Sequence, residues 1–125
     1  MTVACEGCRS GEPLNFDFTM AFQPIFDAAA GRVWGYEALI RGVDGAPAFE
    51  ILSRVMPEQR YRFDQACRVK AIKTAARLEM QSKLSINFMP NAIYRPELCI
   101  RSTLEAARAH NFPIERIIFE TVEGE

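Results

Sequence analysis

The stretch "YEALIRG", residues 36–42, decides the fold of this chain of 125 residues. It belongs to an apolar run, residues 32–41, whose composition predicts a β-strand. Successive side chains of a strand point to opposite faces. One predicted face is aromatic and aliphatic and the other carries both charges: Trp34, Tyr36, Ala38 and Ile40 on the first, and Glu37, Leu39 and Arg41 on the second.

The segments around this strand alternate between strand and helix patterns. "FTMAFQPIFD", residues 18–27, predicts a preceding strand, and the few residues that connect the two favour an antiparallel pair because a parallel crossover needs about a dozen or more residues. Downstream, the patterns predict helices over 48–56, 60–80 and 96–111, and strands over 83–90 and 115–123. The order β-β-α-α-β-α-β predicts an α/β fold with a largely parallel sheet.

All three predicted helices have an apolar face. The first face consists of Phe49, Leu52 and Met56, the second of Phe63, Cys67, Ala71, Thr74 and Leu78, and the third of Ile100, Leu104 and Ala107.

Composition and charge narrow the class of protein. The chain is 49% hydrophobic and 25% charged, with a formal net charge of −1, which is typical of one globular domain or less. The absence of a basic excess argues against a DNA partner. No apolar stretch approaches the roughly 20 residues that a membrane-spanning helix needs, and the N-terminus lacks the pattern of a signal peptide. These features predict a cytoplasmic protein without a membrane partner.

The N-terminal residues 1–15 are rich in Gly, Glu and Ser and predict a flexible lead-in to a domain over residues 16–125. Cys5 and Cys8 form a single CxxC, which supplies two of the four ligands of a structural zinc site. The flanking residues favour two reduced thiols over a metal or redox site. Cys67 and Cys99 lie in helical patterns and are expected to be small buried side chains.

Three predicted strands each carry an oxygen-bearing side chain opposite their largest apolar residues: Glu37, Asn87 and Glu120. Carboxylate and amide oxygens are the ligands that Mg²⁺ and Mn²⁺ prefer, and a cation would offset the cost of placing two carboxylates together. Arg41 shares a face with Glu37 and would suit a phosphate. The other interpretation is structural, because strand Glu and Asn side chains are often solvated or paired with a basic residue.

Four motifs in order resemble the opening half of the EAL domain family of cyclic di-GMP phosphodiesterases: "FQPIFD", "GYEALIRG", "LSINFMP" and "IIFETVE". The resemblance implies a modified (β/α)₈ TIM-like barrel with an antiparallel first strand and function at the carboxyl ends of the strands. It also implies hydrolysis of cyclic di-GMP to linear pGpG with two Mg²⁺ or Mn²⁺ ions per complete site.

The resemblance carries roles to individual positions. Glu37, Asn87 and Glu120 match metal ligands, and Glu37 is in addition the catalytic residue that assists activation of water. Arg41, Leu39 and Gln23 match substrate-binding positions. Glu123 matches a residue that steadies a loop bearing later metal ligands.

Length is the departure from the family, because a (β/α)₈ barrel takes about 250 residues and this chain has half as many. The later ligands of the family, including an adjacent Asp pair, are absent. We therefore expect the 125 residues alone to be inactive. The alternative is a non-catalytic EAL-derived module that binds cyclic di-GMP or a protein. An unclosed barrel further predicts a homodimer or other self-association, and a sensor domain is a possible neighbour in a longer protein.

Overall fold

The computed structural model describes residues 14–88 and 100–121. These residues form four strands, β1 (Thr19–Asp27), β2 (Arg32–Arg41), β3 (Lys83–Phe88) and β4 (Ile117–Thr121), and three helices, α1 (Ala48–Leu52), α2 (Arg60–Arg77) and α3 (Arg101–Ala109). Single 3₁₀ turns precede α2 and β4, at Pro57–Gln59 and Ile114–Arg116. The order of elements confirms the predicted β-β-α-α-β-α-β arrangement.

The four strands form one sheet in the order β1-β2-β3-β4. β1 is antiparallel to β2, with Gln23 opposite Glu37. β2, β3 and β4 are parallel, and the register places Glu37 level with Ser85 and Asn87 level with Glu120. This topology confirms the prediction of a partial (β/α)₈ barrel whose first strand is reversed. Because paired residues share a face of the sheet, Gln23, Glu37, Asn87 and Glu120 all lie on the same face.

The connection between β1 and β2 is a tight turn. Gly31 has a φ of 69°, which a residue without a side chain adopts at little cost, and its N–H donates to the Asp27 carbonyl at 2.8 Å. The Asp27 carboxylate also accepts from the Ala30 N–H at 3.0 Å. These bonds explain why so short a connection suffices for an antiparallel pair.

Trp34 departs from the predicted alternation of β2. The register passes from Ile25–Gly35 to Phe26–Val33, so Trp34 is an extra residue with no opposite partner in β1. Such a β-bulge redirects side chains locally. Trp34 is 43% exposed, whereas Ala38, on the face that Trp34 was predicted to share, is 3% exposed.

The helices cover the apolar face of the sheet. Met20, Ala38, Leu84 and Ile86 from the strands are buried in a core with α2 and α3. The predicted stripe of α2 is confirmed at Phe63, Cys67, Ala71 and Thr74, all of which are buried. The prediction was wrong for Leu78, which is 61% exposed because the helix ends at Arg77 and Glu79 takes a positive φ of 56°.

The first helix is shorter than the sequence predicts. α1 ends at Leu52, so Met56 lies beyond it, and the predicted apolar face is wrong: Phe49, Leu52 and Met56 are 70%, 47% and 54% exposed. Ile51, at 2%, is the residue that α1 buries. A helix of five residues is too short for a periodic stripe to form, so one side chain anchors it.

Several predicted boundaries lie outside the described residues. The predicted end of β3 at residue 90 and the predicted start of α3 at residue 96 fall in the segment 89–99. The predicted end of β4 at residue 123 falls in the segment 122–125. The same holds for Cys5, Cys8 and Cys99, and for most of the predicted lead-in. Within the described part of the chain, no helix has the length and apolar composition needed to cross a membrane.

Candidate functional site

Two crossed hydrogen bonds bring the polar side chains of β2, β3 and β4 together. The Asn87 amide Nδ2 donates to the Glu37 carboxylate at 3.1 Å. The Ser85 hydroxyl donates to the Glu120 carboxylate in a short hydrogen bond. Each bond runs diagonally, since Ser85 is level with Glu37 and Asn87 is level with Glu120. Both carboxylates are therefore hydrogen-bonded to side chains of β3, the strand that lies between β2 and β4.

Ser85 is a member of this cluster that sequence reasoning did not select. It is 1% exposed and lies two residues before Asn87, on the same face. The alternation of side chains along β3 places Ser85 on this face. Small hydroxyl residues are common on strands, however, and the sequence does not indicate which side chain Ser85 bonds to. The partner becomes visible only with the register of β3 and β4, in which Ser85 lies next to the strand that bears Glu120.

A cavity of about 420 Å³ opens beside this cluster. Glu37, Leu39, Arg41 and Asn87 line it, so the structure brings four of the predicted site residues to one space. Arg41 is partly buried, and its Nη1 donates to the neighbouring carbonyl of Ile40 at 2.6 Å. Apart from these residues, most of the lining is apolar: Met20, Ala38, Ile40, Ala48, Leu52, Phe63, Cys67 and Ile86.

The other predicted residues lie outside this cavity. Gln23 is opposite Glu37 in the ladder and exposed, but it does not line the cavity. Glu120 joins the cluster through Ser85 without lining the cavity. Glu123 lies outside the described residues. The structure thus divides the predicted set into a cavity group and a neighbouring group on the same face of the sheet.

A buried ion pair forms part of the cavity wall. Asp64 lines the cavity and accepts a short charge-assisted hydrogen bond from Arg68, whose side chain is 1% exposed. Arg68 Nε also donates to the Thr103 hydroxyl at 3.0 Å, and this bond joins α2 to α3. The pair therefore links a wall of the cavity to the packing of the two helices.

Cys67 lies one helical turn beyond Phe63 in the same wall. Burial is the main cause that raises the pKa of its thiol well above the ordinary value of 9.0, and the nearby Asp64 carboxylate adds to the effect. The raised pKa keeps Cys67 a neutral, poorly nucleophilic side chain. Cys67 is consequently part of the apolar lining, in agreement with the prediction for it.

The loop after β2 is held close to the cavity by Gly42. Its N–H donates to the Ala46 carbonyl at 2.7 Å, and a Cβ at this position would lie 2.7 Å from the Asp44 carboxylate and 2.8 Å from the Ala46 Cβ. Only glycine fits such a close approach without a shift of the loop. Gly42 therefore ends the strand directly after Arg41 and turns the chain toward α1.

The cluster carries oxygen donors of the kind that bind divalent cations. Glu37, Asn87 and Glu120 offer carboxylate and amide oxygens, which are hard ligands that suit Mg²⁺ or Mn²⁺. They provide two carboxylates, and residues 14–88 and 100–121 contain no group of three His, Cys, Asp or Glu side chains placed to hold a metal. The cluster fits part of a coordination sphere, and further ligands are needed to complete one.

Comparison with known proteins defines the class. The model of the EAL domain family matches residues 12–125, and the chain belongs to this family. The four-stranded sheet with its reversed first strand is the part of the EAL barrel that this chain forms.

Individual relatives agree with the family. A standalone versatile EAL protein from Vibrio cholerae O395, solved in its c-di-GMP bound form, is 57% identical with a TM-score of 0.82, over 90% of this chain and 49% of that one. Klebsiella pneumoniae BlrP1, solved as a manganese/cy-diGMP complex, is 29% identical with a TM-score of 0.76, over 85% of this chain and 27% of that one. The blue light- and temperature-regulated antirepressor BluF of Escherichia coli K12 is 26% identical over 96% of this chain and 30% of its own length.

Proposed function

We propose that this chain forms the N-terminal part of a cyclic di-GMP phosphodiesterase domain, over residues 16–125. The observation that carries the proposal is the convergence of the Glu37, Asn87 and Glu120 side chains beside the cavity that Arg41 and Leu39 line. The c-di-GMP bound relative that is 57% identical supports the choice of ligand. The chain spans about half of that relative, and the activity of the whole domain is part of the proposal.

The metal ligands in this proposal are Glu37, Asn87 and Glu120. A divalent cation held there would lower the pKa of water and neutralise charge on the phosphate. Mg²⁺ or Mn²⁺ fits the oxygen donors, and the manganese/cy-diGMP complex of BlrP1 supports the choice of a divalent cation. Glu37 belongs to both the cluster and the cavity lining, which supports its proposed role in the activation of metal-bound water. The Ser85 hydroxyl positions the Glu120 carboxylate through its hydrogen bond.

Substrate binding falls to the cavity group. The guanidinium of Arg41 presents paired N–H donors that match phosphate oxygens. Leu39 and the apolar lining of the cavity suit the flat face of a purine base, and a volume of about 420 Å³ lies in the range of small-ligand pockets. Gln23, on the exposed part of the same face, would contact the outer part of the dinucleotide. Glu123 would steady a loop that follows β4.

Hydrolysis breaks one P–O ester bond of the cyclic dinucleotide: the oxygen of water joins phosphorus, and the departing ribose oxygen takes a proton to give linear pGpG. Two cations need more carboxylates than Glu37 and Glu120 provide. We therefore expect no turnover from these 125 residues alone. In a complete domain, the second half of the barrel would supply the other ligands.

The test is to express the 125 residues and measure both binding and hydrolysis of cyclic di-GMP with Mn²⁺ present. Saturable binding that Arg41→Gln weakens at least about tenfold, without release of pGpG, is the expected result. Glu50→Gln is a control, because Glu50 is an exposed acidic residue of α1 that does not line the cavity. Production of pGpG that depends on Glu37 would show that the site is complete without further ligands.

The second candidate is a module that binds cyclic di-GMP or a protein without catalysis. The observation that favours it is that the cavity is formed within the described residues, although Glu37 and Asn87 are the proposed metal ligands that line it and Glu120 does not. Adding the downstream half of the domain separates the candidates. Turnover that appears on completion supports the enzyme, whereas binding without turnover in the completed domain supports the module.

The open side of the sheet supports self-association. In the described part of the chain, β4 is paired on one side by β3 and ends the sheet, so its other edge offers free backbone donors and acceptors. A homodimer through this edge and a cytoplasmic location are parts of the proposal, as is a regulatory sensor domain in a longer protein. Light scattering of the 125 residues at tens of micromolar tests the first of these, and a stable monomer would contradict it.

A further inference from the structure

A second pocket, of about 450 Å³, lies at the opposite end of the sheet from the Glu37 cluster. Its lining comes from the amino ends of three parallel strands: Arg32, Val33 and Trp34 of β2, Gln81, Ser82 and Lys83 at the start of β3, and Arg116 directly before β4. Because β2, β3 and β4 run in the same direction, these positions meet at one edge. No carboxylate belongs to the lining.

Among the residues that the structure describes, the three basic residues of this pocket have no acidic partner. Within residues 14–88 and 100–121, the ion pairs are Arg68–Asp64 and Lys70–Asp17, and neither involves the pocket. Lys83 and Arg116 donate only to backbone carbonyls, at 3.4 and 3.3 Å. Asp27 faces Arg32 across the β1–β2 ladder without forming an ion pair. Three cations of like sign around one concavity repel each other, and a bound anion would relieve the repulsion.

The β-bulge in β2 places an aromatic ring at the same pocket. Trp34 is the extra residue of the bulge and is 43% exposed while it lines the pocket. Bulges are frequent where a strand has to redirect a side chain next to a binding site. An exposed indole beside guanidinium groups is the combination that holds a nucleobase by stacking and its phosphate by charge.

We propose that this pocket binds a nucleoside phosphate, with the phosphate on Arg32, Lys83 and Arg116 and the base against the Trp34 ring. The volume lies within the range of small-ligand sites. The guanidinium groups match phosphate geometry and the ring accepts any base. The site is one of binding, because the lining contains no general base and no carboxylate for a metal. It stands independently of the proposed phosphodiesterase function, which uses the other end of the strands.

The chain provides its own reporter for this pocket, because Trp34 is its only tryptophan. Titration of the 125-residue protein with guanosine monophosphate at low ionic strength is expected to give a saturable change in tryptophan fluorescence. Pyrophosphate should compete, and guanosine without phosphate should bind much more weakly. A fluorescence signal that stays unchanged up to millimolar nucleotide would overturn the proposal.

Charge variants test which side chains hold the phosphate. Lys83→Gln and Arg116→Gln should each weaken binding about tenfold, the usual consequence of losing one charge-assisted hydrogen bond. Lys73→Gln is the matched control, since Lys73 is exposed on α2 and does not line the pocket. An equal effect of all three variants would show that binding depends only on the net charge of the protein, and it would contradict a defined site. The wild-type titration decides the matter if a variant fails to fold.

A third variant tests the stacking contact. Trp34→Leu should weaken guanosine monophosphate binding, measured by calorimetry, while binding of pyrophosphate is retained. If the wild-type protein and Trp34→Leu bind guanosine monophosphate equally well and pyrophosphate equally well, the assignment of the base to Trp34 is overturned. The pocket would then be a site for anions without base recognition.

Discussion

Arg68→Met is the substitution for which the structure gives the largest expected effect. The Arg68 side chain is 1% exposed, and it bonds to Asp64 and to Thr103. Met fills most of the same volume but leaves the buried Asp64 carboxylate without this cation. Breaking a buried pair by removing one partner costs about 3–5 kcal/mol. A domain of this size has a total stability of about 5–15 kcal/mol, so the loss is a large share of it.

Urea unfolding followed by circular dichroism measures this loss. With a slope of about 2 kcal/mol/M, a change of 3–5 kcal/mol lowers the midpoint by about 2 M. Arg77→Met is the matched control, because Arg77 is exposed in the last turn of the same helix. We expect the control to change the free energy of unfolding by less than about 1 kcal/mol.

A double variant identifies the cause of this loss. The double variant Arg68→Met with Asp64→Leu should recover most of the lost stability, because no charge remains buried. A double variant as unstable as Arg68→Met alone would refute this reasoning.

Four further substitutions test other parts of the structure. Above pH 9 the Cys67 thiol should lower the free energy of unfolding of the wild-type protein by up to about 1.4 kcal/mol per pH unit, because its raised pKa lets only the unfolded chain ionise. Cys67→Ala should abolish this decrease, and equal pH slopes for the two proteins in urea unfolding would contradict the prediction. Gly35→Ala should cost about 1–3 kcal/mol, since a Cβ there lies 2.9 Å from the Lys83 carbonyl oxygen, whereas Gly31→Ala meets no atom within 4 Å and tests φ strain alone. Ser85→Ala should weaken Mn²⁺ binding about tenfold by releasing Glu120, measured by electron paramagnetic resonance; unchanged affinity would refute that positioning role.

The polar face of the sheet was predictable because it depends on local rules. A period of two along each strand places Glu37, Asn87 and Glu120 opposite the apolar residues, and parallel neighbours align their carboxyl ends. The reversed first strand followed from the short connection at Gly31. Metal binding by these three residues stays a prediction. It rests on their oxygen donors, on the family resemblance and on the hydrogen bonds that join their strands.

What the sequence could not provide depends on distant partners. Arg68 and Asp64 have the composition of a solvated helix face, and their burial follows only from α3 packing at Thr103, 35 residues beyond Arg68. The bulge at Trp34 depends on the register in which β1 and β2 pair, and the sequence of either strand alone does not show that register. α1 was predicted too long because its apolar residues are spaced like a helix, although Ile51 alone is buried.

The antiparallel hairpin of β1 and β2 has a consequence for how the chain folds. Its two strands are joined by four residues, so it can form from local contacts within about 1–10 μs. The Asn87–Glu37 bond instead closes a separation of 50 residues, and the Ser85–Glu120 bond one of 35. Contacts between residues so far apart in sequence form slowly, because the loop entropy is lost before the contact is gained. The two glutamates are therefore expected to converge late, and a probe at this cluster would report the completed native sheet, whereas a probe in the hairpin would report its beginning.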